Sequence, residues 1–261
     1  MTDALLVVAH EATQTASPRV LLDLMHRVRA ELDVALAVRL QATGPLADEL
    51  RALHDAPPDA TIRAVLCNSA LSLAEDLALP AAAPLVVYVH EEGEALRVLP
   101  DRAKQRLIGE CAAVLCVSET SRSDLISLGV DAGRITLLPP ALGHLGGVDA
   151  ASADAARAEL GVGRSATLVV GCGEAGWRKG ADLFVELAGR LVARSATVEL
   201  AWIGRRPRPF GRLLDHSCEL LGVSDRLRWH GEVPSARPFL AAADVVVTTS
   251  REDPQPLVPL E

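Results

Sequence analysis

Two carboxylates eight positions apart, Asp253 and Glu261, stand in the closing run Ser250-Arg251-Glu252-Asp253-Pro254-Gln255-Pro256-Leu257-Val258-Pro259-Leu260-Glu261. A carboxylate accepts two hydroxyl hydrogen bonds at once, so one can cap a ribose diol while the other faces a sugar. The plain alternative is a charged turn at Glu252 and Asp253, with Glu261 opening a surface helix. A second group is Gly171-Cys172-Gly173-Glu174-Ala175-Gly176-Trp177-Arg178-Lys179-Gly180. Glycines such as Gly173 let the backbone approach a ligand closely, and Arg178 and Lys179 beside a helix N-terminus suit a diphosphate. The run is neither a Walker loop nor a strict G-x-G-x-x-G, which argues against an NTPase or an ordinary dinucleotide site. Its bland reading is a glycine-rich turn with two solvated cations.

His90, followed by Glu91 and Glu92, can bond a sugar hydroxyl or transfer a proton. A lone histidine at such a place is more often structural. His10 sits in a loop without glycine and ranks below it. Arg205 and Arg206 either reach a phosphate or, more simply, are solvated. Trp229-His230-Gly231 offers backbone groups to a nucleobase edge, or is an ordinary strand ending in a glycine turn. No Ser-His-Asp order is recognisable, and Ser118 reads as a helix N-cap. There is no H-E-x-x-H or D-x-D signature, so a metal-dependent mechanism has no support in the sequence.

The elements that must position these residues alternate between strand and helix from the start, which argues for parallel sheets covered by helices. Strands are expected at Ala4 to Ala9, Val34 to Leu40, Thr61 to Cys67, Leu85 to Val89, Ala113 to Val117 and Ile135 to Leu138. Helices are expected over Arg19 to Leu32 (with Pro18 in its first turn), Pro45 to Leu53, Ser69 to Leu79, Pro100 to Gly109 and Glu119 to Leu128. Pro139-Pro140 and the Gly-, Ala- and Asp-rich segment Gly143 to Ala153 read as a linker. A second series follows: helix Asp154 to Leu160, strand Thr167 to Val170, helix Ala181 to Ala193, strand Val198 to Ile203, helix Pro209 to Leu221, strand Leu227 to Trp229 and helix Ser235 to Ala242. It closes with Asp244 to Thr248, whose β-branched run reads as a buried strand. Two doubly wound domains joined near residue 145 are therefore expected. In such sheets ligands bind at the carboxyl ends of strands, where every residue singled out above lies.

The 261 residues, 49% of them hydrophobic, are enough for two α/β domains or one large one. With only 3% aromatic residues, the core must be built from Leu, Val and Ala. Lys+Arg 26 against Asp+Glu 34 gives a formal charge of -8, and no basic run appears, so nucleic-acid binding is disfavoured. Five scattered cysteines without a C-x-x-C point away from zinc or a disulfide framework and toward a reducing cytoplasm. The N-terminus lacks a signal peptide's basic region, and no apolar run reaches transmembrane length.

Assembled, these residues resemble a retaining glycosyltransferase of family 4. Four stretches carry the resemblance: Val117 to Leu125 through Leu137-Leu138-Pro139, Trp177 to Phe184, Leu227 to Val233, and Ser250 to Glu261 as an S-x-E-D-P-x-P-L-V-x-L-E form of the E-x7-E signature. The last is fairly specific, together they are strong, and the resemblance covers nearly the whole chain. The resemblance implies a GT-B fold: α/β, with two Rossmann-like doubly wound parallel-sheet domains facing a cleft. The acceptor-side domain would occupy 1–145, and the nucleotide-sugar-binding domain, incomplete at its end, 146–261. The implied activity is metal-independent and of the hexosyltransferase type, moving a sugar from a UDP- or GDP-sugar to a hydroxyl of a glycan, lipid or small molecule, with no cofactor. In that reading Lys179 neutralises the donor diphosphate with Arg178 as the weaker candidate. Gly173 also binds the donor, Glu261 holds the ribose hydroxyls, and Asp253 stands near the donor sugar. His90 matches the active-site histidine. The protein is expected to be cytoplasmic, with peripheral membrane association as a further expectation.

The chain departs from that pattern at several points. Cys172 replaces an arginine common at the start of the phosphate loop, Thr15-Ala16-Ser17-Pro18 lacks the usual glycine, Gln255 replaces a frequent aromatic, and Leu50 to Thr61 is short. Relatives continue past Glu261 with a helix and further strands, so the second sheet is expected to have an exposed edge, and the chain reads as a fragment, a truncated product or a degenerate homologue. The alternative function is a non-catalytic sugar-nucleotide or protein-binding remnant of the same fold. An epimerase of this architecture ranks third.

Overall fold

A computed structural model describes residues 2–76, 79–80, 82–140 and 147–260. The chain divides into two compact units, one of Met1–His144 with Pro254–Leu257 and one of Leu145–Asp253 with Val258–Glu261. Residues 141–146, in the expected linker, lie outside the described residues.

The first unit runs β1 (Asp3–Ala9), α1 (Ala16–Glu31), β2 (Ala35–Leu40), α2 (Ala47–Ala52), β3 (Thr61–Asn68), β4 (Leu85–Val89), α3 (Gly93–Arg97), α4 (Asp101–Gly109), β5 (Ala113–Cys116), α5 (Glu119–Leu128) and β6 (Ile135–Leu137). Its six strands are all parallel, in the order β2-β1-β3-β4-β5-β6. Alternate residues along a strand point to opposite faces, and here both faces are buried. Val8, Cys67, Val87 and Val89 pack with Ala103, Leu107 and Leu125 from α4 and α5. Val7, Leu66 and Tyr88 pack with Leu21, Met25 and Leu50 from α1 and α2. That is why the strands read as continuous apolar runs rather than alternating ones. Leu257 is buried in the second of these clusters.

The second unit runs α6 (Ala150–Glu159), β7 (Thr167–Cys172), α7 (Ala181–Val192), β8 (Val198–Ile203), α8 (Arg208–Leu220), β9 (Leu227–Gly231), α9 (Arg237–Ala242) and β10 (Val245–Val246). Its parallel strands are ordered β10-β7-β8-β9. Val169, Leu200 and Trp202 face α7 and α8 through Phe184, Val185, Leu214 and Cys218. Leu168, Val170, Ala201 and Ile203 face α6 and α9 through Ala156, Leu160, Phe239 and Leu240.

Three expectations change. Of the helix expected over Ser69 to Leu79, residues 77–78 lie outside the described residues, and the described part holds one 3-10 segment, Ala70–Ala74. Ser69 leaves β3 at φ 83°, its hydroxyl accepts from the Leu71 amide, and the Ser72 hydroxyl bonds back to the Asn68 carbonyl. These local bonds compete with α-helical ones. Helix α3 was not anticipated, because five residues carry too little periodicity to signal it. Finally, the supposedly buried last strand pairs only through Val245 and Val246, which are 46% and 39% exposed. Lying at the sheet edge, β10 is paired with β7 on one side only among the described residues.

Candidate active site

In the second unit the chain steps from β7 to β8 and β9 on one side, then returns to place β10 on the other. The point where the winding reverses is where open parallel sheets bind ligands, and the carboxyl ends of β7 and β10 meet there. After β10, Thr249 accepts no side-chain freedom from its neighbours: its hydroxyl donates to the carbonyls of Lys179 and Gly180 at 3.1 and 2.9 Å. Gly180 stands at φ +65°, and a Cβ there would lie 2.0 Å from the Thr249 carbonyl oxygen. Glycine is thus required for the loop after β7 to reach the chain after β10.

That approach brings residues 74 apart into contact. Lys179 Nζ lies 2.5 Å from Asp253 Oδ2, with side chains 17% and 12% exposed. The Ser250 hydroxyl donates to the same oxygen at 3.1 Å. Arg178 Nη1 is 3.6 Å from Asp253 Oδ1 and donates to the Glu252 carbonyl at 3.0 Å. One carboxylate is therefore held between two cations, which leaves the cluster one positive charge in excess. Gly173, at φ +129°, lies beneath the Lys179 stem, whose carbons would be 3.2–3.3 Å from a Cβ placed there. Its carbonyl accepts the Trp202 indole N–H at 2.8 Å. Of the donor-site residues named from sequence, Gly173, Arg178, Lys179 and Asp253 are brought together. Glu261 lies outside the described residues.

Arg251 went unnoticed in the sequence. Its guanidinium grips Asp182, in the first turn of α7, through two bonds of 2.7 Å, donates to the Trp177 carbonyl at 3.0 Å and lies 5.4 Å from the Trp177 ring centroid. Its amide donates to the Arg178 carbonyl at 2.8 Å. The guanidinium holds the Asp182 carboxyl below its ordinary range, chiefly through their hydrogen bond. Arg251 thereby ties both ends of the segment that carries Arg178 and Lys179. No local signal identifies such a role, because its partner is 69 residues away.

Arg205 and Arg206 are paired rather than simply solvated. Arg205 bonds Glu174, while Arg206 bonds Asp215 and lies 5.2 Å from the Trp229 ring centroid. His230 pairs with Glu159 at 3.1 Å and packs on Phe239.

In the first unit, His90 follows β4 and Asn68 ends the neighbouring β3. His90 Nε2 and Asn68 Oδ1 are 2.9 Å apart. Asn68, 2% exposed, donates through Nδ2 to the Ser17 hydroxyl and carbonyl at 2.7 and 3.2 Å. Glu91 accepts from the His90 and Ala70 amides at 2.9 and 3.2 Å and from the Ser69 hydroxyl. Burial lowers the His90 pKa to about 4, so the imidazole is neutral at pH 7. It can accept a hydroxyl hydrogen bond there, but is a weak base for removing a proton. Asn68 was legible only as a polar residue closing an apolar strand. His10 Nδ1 is buried without a partner among the described residues. Among those residues, too, no three His, Cys, Asp or Glu side chains gather as metal ligands, and no helix is long and apolar enough to cross a membrane.

The family model described as Glycosyltransferase Family 4 matches residues 5–142, and that described as Glycosyl transferases group 1 matches residues 166–261. Among solved structures, Anabaena Alr3699/HepE in complex with UDP-glucose is similar over 96% of this chain and 75% of its own, at 16% identity and a TM-score of 0.75. WaaG, a glycosyltransferase involved in lipopolysaccharide biosynthesis, is similar over 98% and 77%, at 14% identity and a TM-score of 0.72. A glycosyltransferase from Rickettsia africae ESF-5 is similar over 97% and 74%, at 11% identity and a TM-score of 0.69. Among curated proteins, none matches the sequence. The fold is the two-domain α/β fold of GT-B glycosyltransferases.

Proposed function

This chain belongs to glycosyltransferase family 4, and from that premise we propose that it moves a sugar from a UDP- or GDP-sugar to an acceptor hydroxyl, with retention of configuration and without a metal. The observation that carries the reading is the meeting of Lys179, Arg178 and Asp253 at the winding reversal of the second sheet. Lys179 and Arg178 take the diphosphate, displacing Asp253, which turns to the sugar hydroxyls. Glu261 holds the ribose diol. The bond from the anomeric carbon to the diphosphate breaks while the acceptor oxygen bonds to the same face, and the acceptor proton passes to the departing diphosphate. Cations fixed beside a leaving group stabilise charge where it develops, without reorganisation at the moment of reaction. A nucleotide-sugar donor is supported by the similar HepE fold, crystallised with UDP and with UDP-glucose. On this reading residues 1–145 serve the acceptor and 146–261 the donor, and the protein works in the cytoplasm with peripheral access to a membrane.

A panel of nucleotides and nucleotide sugars, scored by thermal stabilisation of the full chain and then by donor hydrolysis, tests the proposal. Stabilisation by none of them sinks it, and stabilisation without turnover selects a non-catalytic binding module. Lys179→Ala should weaken UDP binding by about tenfold, the worth of one charge-assisted hydrogen bond, and leave uridine binding unchanged. Equal losses for both would remove Lys179 from the phosphate role.

A further inference from the structure

The bonds around His90 specify more than its position. The Asn68 Nδ2 group faces the Ser17 carbonyl at 3.2 Å as well as the Ser17 hydroxyl at 2.7 Å. A carbonyl only accepts, so turning the amide over would set two oxygens against each other. Asn68 Oδ1 must therefore face His90 Nε2, 2.9 Å away, and since Oδ1 also only accepts, the ring hydrogen sits on Nε2. A neutral imidazole carries one hydrogen, so the lone pair is on Nδ1, for which no donor is found among the described residues.

The framework around this pair is rigid. Asn68 is 2% exposed and Ser69 5%. Ser69 is the one non-glycine residue at positive φ among the described residues, a conformation that costs about 1–3 kcal/mol and persists where surrounding bonds over-determine it. Here the Glu91 carboxylate supplies those bonds, clasping the Ser69 hydroxyl, the Ala70 amide and the His90 amide. The His90 ring also lies 4.3 Å from that of Tyr88, whose hydroxyl is anchored to the Leu138 carbonyl at 2.7 Å.

We infer that Asn68 is a positioning residue that locks His90 in the Nε2–H tautomer, so that Nδ1 accepts a hydrogen bond from a sugar hydroxyl. The inference rests on the reading above in which His90 meets the substrate. It assigns His90 the part of a hydrogen-bond acceptor, with no proton changing hands.

Long-range proton–nitrogen correlation on the full chain, labelled with 15N-histidine, reports which ring nitrogen carries the hydrogen. The wild type should show one tautomer, Nε2–H, and Asn68→Ala a mixture. For glucose transfer from UDP-glucose to a panel of free sugars and alkyl glucosides as acceptors, Asn68→Ala and His90→Ala should each lower kcat by on the order of tenfold, the worth of one hydrogen bond. The double variant should fall no lower than His90→Ala alone. An Nδ1–H tautomer in the wild type, which needs no variant to fold, overturns the inference, as do an unchanged tautomer in Asn68→Ala or additive losses in the double variant. Unchanged transfer in His90→Ala overturns instead the contact with substrate, and leaves the tautomer result standing, so the two failures are told apart.

Discussion

Replacing Asp253 by Asn should tighten the binding of UDP while it slows sugar transfer. In the structure the Lys179 ammonium is taken by Asp253 at 2.5 Å, in a pair whose side chains are only 17% and 12% exposed. An incoming diphosphate must displace that partner. A hydrogen bond to a charged group contributes about 1.5–3 kcal/mol, and with the Lys179 ammonium still charged the exchange moves the bond from the upper part of that range, where both partners are ionised, to the lower. Exchanging the carboxylate for an amide therefore lowers the cost of freeing Lys179 by about 1 kcal/mol, or about fivefold in Kd. The substitution also removes a negative charge from beside the diphosphate. Arg178, 51% exposed and 3.6 Å from the carboxylate, adds less because solvent screens it. Titration calorimetry of Asp253→Asn should then show UDP binding about five- to tenfold more tightly at low salt, a smaller gain at high salt, and uridine unchanged. Hydrolysis of the sugar donor should fall, because the amide cannot take the carboxylate's place at the sugar hydroxyls. Weaker or unaltered UDP binding in Asp253→Asn would show that the pair does not compete with the diphosphate, and the assignment of Lys179 would fail with it.

Arg251→Ala should lower the urea midpoint, through loss of the bidentate pair with Asp182 and the contact with Trp177, and weaken UDP several-fold by loosening the loop at Trp177 and Arg178. Equal UDP affinity in the two proteins would show that the clasp serves stability alone. Gly180→Ala places a Cβ 2.0 Å from a backbone oxygen at φ +65°, so it should cost at least about 2 kcal/mol and abolish UDP binding; a wild-type melting temperature would refute the close approach. His90 makes stability depend on pH. Its folded pKa, lowered by burial to about 4, lies below the unfolded value of about 6.5, so the unfolded chain binds more protons between those values. The contribution is complete above pH 6.5 and is lost as pH falls toward 4, by up to about 3 kcal/mol. Urea unfolding at pH 7 and pH 4.5 should show a larger drop for the wild type than for His90→Gln, and equal drops would contradict a buried neutral imidazole.

Much of the fold was legible because local composition encodes it. Runs such as Val65 to Cys67 and Leu85 to Val89 are apolar at every position because both faces of their sheet are covered. Glycine and charge in the loop from Gly171 to Gly180 marked a ligand-facing turn without reference to any other part of the chain. The miss after β3 has a different origin. A helix is expected from Ser69 onward, yet the Ser69 clasp to Glu91, with the local bonds of Ser69 and Ser72, makes Ala70–Ala74 a 3-10 segment, a tertiary bond adding to local ones to override a local preference.

The amino-acid sequence by itself determined that two parallel α/β sheets form and which strand ends carry cations, carboxylates and a histidine, since those properties follow from side-chain periodicity and residue type. Only the tertiary structure decided which of them meet. Lys179 finds Asp253 across 74 positions, Arg251 finds Asp182 across 69, and Asn68 finds His90 across 22. The first two encounters depend on β10 lying beside β7, and the third on β4 lying beside β3. Strand order is set by the packing of whole elements, not by the pattern within any one of them. For that reason the chemistry of each group was visible in the sequence, whereas its partner was not.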